Sequence, residues 1–234
     1  MKLGILRTDT VRPELADEFG QYPDMFRSLL GAVDDTIEFT VFDVERDDFP
    51  DSIDVADAYL ITGSRFSAYD DEAWIHRLLA FVRELHGARK KVVGICFGHQ
   101  IIALALGGVV EKSERGWGVG LHKARFATRP AWHDGSDPSF HVLVSHQDQV
   151  TQLPQGMTRL AGSAFCPNAV AQVGAHMLTF QGHPEFVTGY SRALIEIRRQ
   201  TLDEERYHDG LASLAIAPER ERIARWIVDF LRRP

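Results

Sequence analysis

Cysteine is scarce in this chain, with only Cys96 and Cys166 in 234 residues. Two thiols cannot build a disulfide framework, and such sparing use suits a reducing, cytoplasmic compartment; one Cys96–Cys166 bridge stays open as an alternative. Basic charge is also in deficit, with 26 Lys and Arg against 33 Asp and Glu and a formal net charge of −7. That balance argues against a surface for nucleic acid or an anionic membrane. The N-terminus lacks a signal-peptide core, because Met1-Lys2-Leu3-Gly4-Ile5-Leu6 runs straight into Arg7 and Asp9. Residues 92–110 carry no Asp, Glu, Lys or Arg, a length that would allow a membrane span. Gly94, Gly98, Gly107 and Gly108, with His99 and Gln100, break that stretch into strand, turn and helix, so it reads as a buried seam. Internal repeats, low-complexity tracts and linkers are absent too, and residues 1–234 are expected to form one domain.

What is present is ample for a core: 44% of residues are apolar and 10% aromatic. A chain of this size buries roughly 70–75% of its unfolded surface, so no staple is required. Short β-rich runs alternate with helical patterns through the first half, which predicts βαβ units on a mainly parallel sheet. Strands are expected at residues 3–6, 37–44, 58–61 and 92–95. The last lacks polar alternation and should be buried on both faces. Helices are expected at 24–30, ended by Gly31; at 71–86, with Gly87 as a left-handed cap; and at 98–106, stopping at Gly107-Gly108. Residues 123–127, 141–144, 159–161, 170–173 and 177–180 are short strands separated by turns, a pattern of antiparallel additions on one sheet edge. Two helices close the chain, one carrying Phe186, Tyr190, Leu194 and Ile197, the other Ile223, Trp226, Ile227, Phe230 and Leu231. The basic clusters Arg89-Lys90-Lys91, Arg198-Arg199 and Arg232-Arg233 fall at expected helix ends, where they complement the dipole.

The segment Gly94-Ile95-Cys96-Phe97-Gly98-His99-Gln100 sits between a buried strand and a helix. It is the cysteine counterpart of the Gly-x-Ser-x-Gly nucleophile elbow. A nucleophile on so sharp a turn needs a strained backbone and close-passing chain, hence the flanking glycines. The helix N-terminus then favours the thiolate. The commoner fate of a free cysteine, a small buried hydrophobe, is the competing reading. Thiolate attack on an amide also needs a base that can protonate the leaving amine, and a group to orient that base. Of ten histidines, His183 stands out, since it follows an apolar strand in Phe180-Gln181-Gly182-His183-Pro184-Glu185. Glu185 can fold back through the proline turn onto one imidazole nitrogen. His76 and His86 belong to a surface helix, His133 and His208 to polar loops, and His141 and His176 flank strands. The His141…His146 spacing matches no zinc motif, and no metal is expected.

These two motifs, 87 positions apart from cysteine to histidine, resemble the class I (triad-type) glutamine amidotransferase family. The resemblance runs over nearly the whole chain and is similar in kind to the GMP synthase glutaminase domain and to free-standing γ-glutamyl peptidases. It implies a flavodoxin-like α/β fold: an open, mostly parallel sheet flanked by helices. It implies Cys96 as nucleophile, His183 as general base and acid, and Glu185 as orienting carboxylate. The backbone N–H groups of Gly63 and Phe97 would form the oxyanion hole. Gln100 and the loop Ser145-His146-Gln147-Asp148 would hold the substrate's α-groups, and Gly116-Trp117-Gly118 would pack. Where many members carry Gly-Gly-Pro in the oxyanion loop, this chain has Thr62-Gly63-Ser64-Arg65.

Three functions follow from the resemblance, all without a cofactor. The first is a glutaminase that releases ammonia for a separate acceptor synthase, since 234 residues leave no room for a synthase domain. The second is a γ-glutamyl peptidase acting on γ-glutamyl amides or peptides. Both take a small-molecule substrate through a γ-glutamyl thioester. The third is a non-catalytic binding or redox-sensing protein on the same fold, which has no chemical need to keep Cys96, His183 and Glu185 together.

Overall fold

A computed structural model describes residues 1–233. The parallel strands are β1 (Lys2–Arg7), β2 (Glu38–Asp43), β3 (Ala58–Ile61), β4 (Lys91–Ile95) and β11 (Met177–Phe180). They lie in the order β2-β1-β3-β4-β11, with β4 hydrogen-bonded between β3 and β11. The sheet continues antiparallel through β10 (Val170–Val173), β9 (Met157–Gly162), β6 (Gly118–Phe126) and β7 (Ser139–His146). The expected open, mostly parallel α/β sheet with antiparallel additions on one edge is therefore the observed architecture. Two further strands, β5 (Val109–Lys112) and β8 (Asp148–Gln152), pair with each other outside the main sheet.

Strand alternation sorts the core into two layers. Leu3, Ile5, Leu60, Val93 and Ile95 face α2 (Tyr22–Gly31) and α7 (Arg220–Arg232), packing against Phe26, Trp226 and Phe230. Leu6, Tyr59, Ile61 and Val92 face α3 (Ala73–Gly87) and α4 (Phe97–Ala105), against Leu78, Val82, Ile101 and Ile102. A third cluster seats α5 (Thr188–Ile197) over β6 and β7 through Leu143, Phe186, Tyr190 and Leu194. Strands β5 and β8 and two helices escaped the sequence reading. Helix α1 (Pro13–Phe19) is short, and α6 (Glu204–Ser213) buries only Gly210, so neither has a usable apolar stripe.

Local corrections have local causes. Gly87 is the last residue of α3, and the left-handed position is Arg89 at φ 55°. Phe186 precedes α5 and lies flat against His183. His133 is buried in face-to-face contact with Trp226, and His208 lies within α6. Cys96 and Cys166 are both free. No helix among the described residues is long and apolar enough to cross a membrane.

One close helix–sheet approach is at the start of α4. A Cβ at Gly98 would stand 2.5 Å from the Ile61 carbonyl oxygen, and one at Gly94 would stand 2.6 Å from the Gly98 oxygen. A Cβ at Gly87 would meet nothing within 4 Å. Gly98→Ala should therefore cost about 1–3 kcal/mol, lowering Tm by roughly 2–12 °C. Gly87→Ala should raise stability by about 0.5–1 kcal/mol through helix entropy. Paired thermal melts check both; equal effects at the two positions would refute the packing argument.

Candidate active site

The carboxyl ends of β3, β4 and β11 bring the site together. Cys96 is the hinge between β4 and α4, with φ 52° and ψ −96°, a rare and strained conformation for a residue with a side chain. The surroundings over-determine it. The Cys96 N–H donates to the Phe180 carbonyl at 2.8 Å, and its carbonyl accepts from the Gln100 N–H at 3.1 Å. The Gly98 N–H donates to the Thr62 carbonyl at 3.2 Å, tying the start of α4 to the loop after β3.

That loop is clamped from β1. The Thr8 hydroxyl donates to the Gly63 carbonyl at 2.9 Å, and the Ser64 hydroxyl donates to the Thr8 carbonyl at 2.9 Å. Asp9, buried at the end of β1, accepts from the Arg65 N–H at 2.7 Å and pairs with its guanidinium. Gly63 is pressed so close that a Cβ there would lie 2.7 Å from His183 Cε1 and 3.7 Å from Cys96 Cβ. Among the described residues, neither the Gly63 nor the Phe97 N–H donates to another group. Two free backbone donors thus lie beside Cys96, the Phe97 one at a helix N-terminus and the Gly63 one on the loop packed against it.

His183 and Glu185 lie on the turn after β11. The His183 Nδ1–H donates to Glu185 Oε1 at 2.7 Å, both side chains being buried. The His183 ring stacks on Phe186 at 3.9 Å and 7°, which fixes its plane. Burial alone would push the imidazole pKa down, but the Glu185 charge and the Cys96 sulfur outweigh it and hold His183 well above its ordinary value of 6.5. Glu185 Oε2 is buried without a partner. From α7, the Arg220 guanidinium donates to the carbonyls of Pro184 at 3.2 Å and Glu185 at 3.1 Å, pinning the turn.

Of the expected substrate-contact residues, Gln100, Ser145, His146, Gln147 and Asp148 all line one cavity of about 220 Å³ with Cys96. Within it their parts differ. The Gln100 side-chain amide donates to the Asp148 carbonyl at 2.8 Å and to Gln181 Oε1 at 3.2 Å, so it braces the loop. Burial drives the His146 pKa down to about 3, leaving a neutral ring whose Nδ1–H donates to the Asp148 carbonyl at 3.1 Å. Ser145 Oγ is buried and unpartnered. Trp117 is not simply packing, since it lines this cavity beneath the Arg198 guanidinium, 4.7 Å from its ring centre. Gln181, missed from the sequence although it lies in the histidine motif, donates to Cys96 Sγ at 3.5 Å. A second cavity of about 360 Å³ opens on the His183 side, bounded by Asp9, Arg12, Tyr22, Tyr190 and Arg198.

Because the His183 pKa is raised, its charged form stabilises the fold fully below about pH 6.5, and this contribution is lost as pH rises through the folded value. Glu185→Gln removes the principal charge that raises it. The His183 titration followed by NMR should then fall by at least about one pH unit. An unmoved midpoint would show that Glu185 is not the cause.

A family model for glutamine amidotransferase class-I matches residues 29–197. Gamma-glutamyl peptidase 5 of Arabidopsis thaliana is 36% identical over 175 residues, 72% of this chain and 69% of that protein. A glutamine amidotransferase-like protein of Schizosaccharomyces pombe is 30% identical over 247 residues, covering 98% of both chains. The glutamine-hydrolyzing GMP synthase of Dehalococcoides mccartyi is 36% identical over 130 residues, 55% of this chain but 23% of the synthase. Among solved structures, the glutamine amido transferase from Methylobacillus flagellatus has the same fold, with a TM-score of 0.79 at 22% identity over 99% of this chain and 94% of that one. The elbow cysteine between β4 and α4, the buried His183–Glu185 pair after β11 and these matches agree, and the chain belongs to the glutamine amidotransferase class-I family.

Proposed function

We propose that this chain hydrolyses γ-glutamyl amides through a thioester on Cys96, and that its leaving amines are larger than ammonia. The observation that carries this reading is the pair of adjoining cavities, one lined by Cys96 and the other by His183, which share Ser64, Arg65, Ser145 and Arg198 as walls. The cavity holding Cys96 would take the γ-glutamyl group, held by the Ser145–Asp148 loop that Gln100 braces. The cavity on the His183 side lies where the leaving nitrogen must receive its proton. Its volume of about 360 Å³ far exceeds the ~30 Å³ share of a water-sized molecule such as ammonia.

In this reading the Cys96 thiolate attacks the γ-carbonyl carbon, and the oxygen gains negative charge facing the free Gly63 and Phe97 N–H groups. Such preorganised donors are worth about 3–4 kcal/mol each in comparable sites. As the tetrahedral intermediate collapses, the C–N bond breaks and His183 delivers its proton to the departing amine. Water then attacks the thioester carbonyl, gives a proton to His183, and releases γ-carboxylate and free thiolate. Glu185 keeps the imidazole plane and tautomer suited to both transfers. Gamma-glutamyl peptidases among the relatives support this substrate class. Glutamine hydrolysis with ammonia passed to a separate synthase is the second reading, favoured by the GMP synthase match.

Cys96→Ala should abolish turnover while the melting temperature stays near wild type, and 6-diazo-5-oxo-norleucine should label Cys96 in the wild-type protein. His183→Ala should lose at least ~10³-fold in kcat. Absence of both labelling and turnover in a folded wild-type protein would favour a binding protein.

Specificity separates the two enzymatic readings. We expect kcat/KM for a γ-glutamyl dipeptide to exceed that for glutamine by at least ~10-fold. Asparagine and N-acetylglutamine should fall at least ~10²-fold below glutamine, because the recognised α-groups are misplaced or capped. A preference for glutamine over the dipeptide would transfer the assignment to the ammonia-releasing reading.

A further inference from the structure

Among the described residues no carboxylate answers Arg198 at this site; Lys112, on the Cys96 side, is also unpaired but is solvent-exposed. Arg198 follows α5, lines both cavities, and lies over Trp117. Among the described residues its guanidinium donates only to the Leu194 carbonyl at 3.5 Å, with no carboxylate within salt-bridge range. Arg65, in the same walls, is by contrast committed to Asp9 and to Glu45 at 2.6 Å. Asp9 in turn accepts from the Arg65 guanidinium and from the Arg65 and Thr10 N–H groups. The His183-side cavity therefore keeps a positive excess from Arg198 and from Arg12, whose only carboxylate contact is the exposed Glu14 at 3.6 Å. A partly desolvated cation without a counter-charge is costly unless a ligand supplies one. Burial lowers the Arg198 pKa, in keeping with that cost.

We infer that Arg198, assisted by Arg12, forms a subsite for a carboxylate carried by the leaving group, so that the preferred substrates are γ-glutamyl derivatives of amino acids or peptides with a free carboxylate. The placement carries the assignment. Arg12 lines the His183-side cavity and not the Cys96 side, so both guanidinium groups border the cavity assigned to the leaving group, while the exposed Lys112 borders the Cys96 side. In a γ-glutamyl amino acid, that carboxylate lies one carbon from the nitrogen His183 protonates. Arg198 and Ser145 border both cavities, so the guanidinium fork and the unpartnered hydroxyl stand at the junction a bound peptide must cross.

The inference rests on the proposed γ-glutamyl hydrolysis, and its test separates the two. The probes are γ-glutamylglycine and its neutral counterpart γ-glutamylglycinamide, read as a ratio of kcat/KM. The wild-type protein should prefer the acid by at least ~10-fold, and Arg198→Gln should bring the ratio close to one. Arg12→Gln should lower the ratio less, and Arg198→Lys should give an intermediate value, because it keeps the charge without the fork. Circular dichroism establishes that each variant is folded; were Arg198→Gln not to fold, the Lys variant carries the comparison. A ratio unchanged in the Arg198 variants, including the case where both substrates slow equally, would overturn the inference and assign Arg198 to the glutamyl α-carboxylate or to structure. Calorimetry on Cys96→Ala with the same ligands gives a readout independent of turnover. Arg198-dependent preference for the acid there, with no hydrolysis by the wild type, would uphold the subsite and sink the hydrolysis. Hydrolysis of both substrates at equal rates would do the reverse.

Discussion

The contact between Gly98 and the end of β3 governs the geometry of this site. Because neither Gly94 nor Gly98 has a side chain, α4 begins almost on the sheet, with the Gly98 N–H bonded to the Thr62 carbonyl. The chain must then turn within one residue, which forces Cys96 to a positive φ. Strain of order 1–3 kcal/mol at such a position persists only where the surroundings over-determine it. The bond to Phe180 on one side and the bond from Gln100 on the other do so. The same contact sets Gly63 against His183 and Cys96, so the Cys96 turn and the loop carrying the second free N–H are placed by one packing event.

The buried His183–Glu185 pair is the electrostatic counterpart of that constraint. Burying a carboxylate and an imidazolium is expensive, and removing one partner strands the other. The cost is offset by their short hydrogen bond, by the nearby sulfur and by the Phe186 stack. Arg220 reaches from α7, near the end of the sequence, to hold the turn through two carbonyls. The final helix is thus tied to the site as well as to the core, through Arg220 on one side and Trp226 and Phe230 on the other.

Charge also marks the cavity on the His183 side. Near Asp9 the walls are neutralised by an internal ion pair, while Arg198 stands over Trp117 without a carboxylate. A chain with a net charge of −7 thereby presents a local positive excess at its candidate site. Local desolvation and pairing, not net charge, set what a cleft binds.

Much of the architecture was legible because it obeys simple periodicities. The runs at β3, β4 and β11 are apolar and bounded by turn residues, and α3 and α7 carry clear helical stripes. The glycines around Cys96 announced the elbow, and Pro184 announced the turn that returns Glu185 to His183. Elements without such signals were lost: α6 buries only Gly210 fully, and β5 and β8 support each other rather than the sheet. Gln181 was passed over because a glutamine in a motif does not reveal that it faces a sulfur 85 positions away. Nor could sequence show that Gln100 braces a loop, that burial keeps His146 neutral, or that Arg198 lacks a carboxylate. Local pattern determined the strands, the helices and the choice of Cys96, His183 and Glu185 as candidate residues, since these depend on neighbours in the chain. Which donors stay free, which charges stay unpaired and which cavities meet were decided only by tertiary structure, because each depends on groups brought together from distant segments.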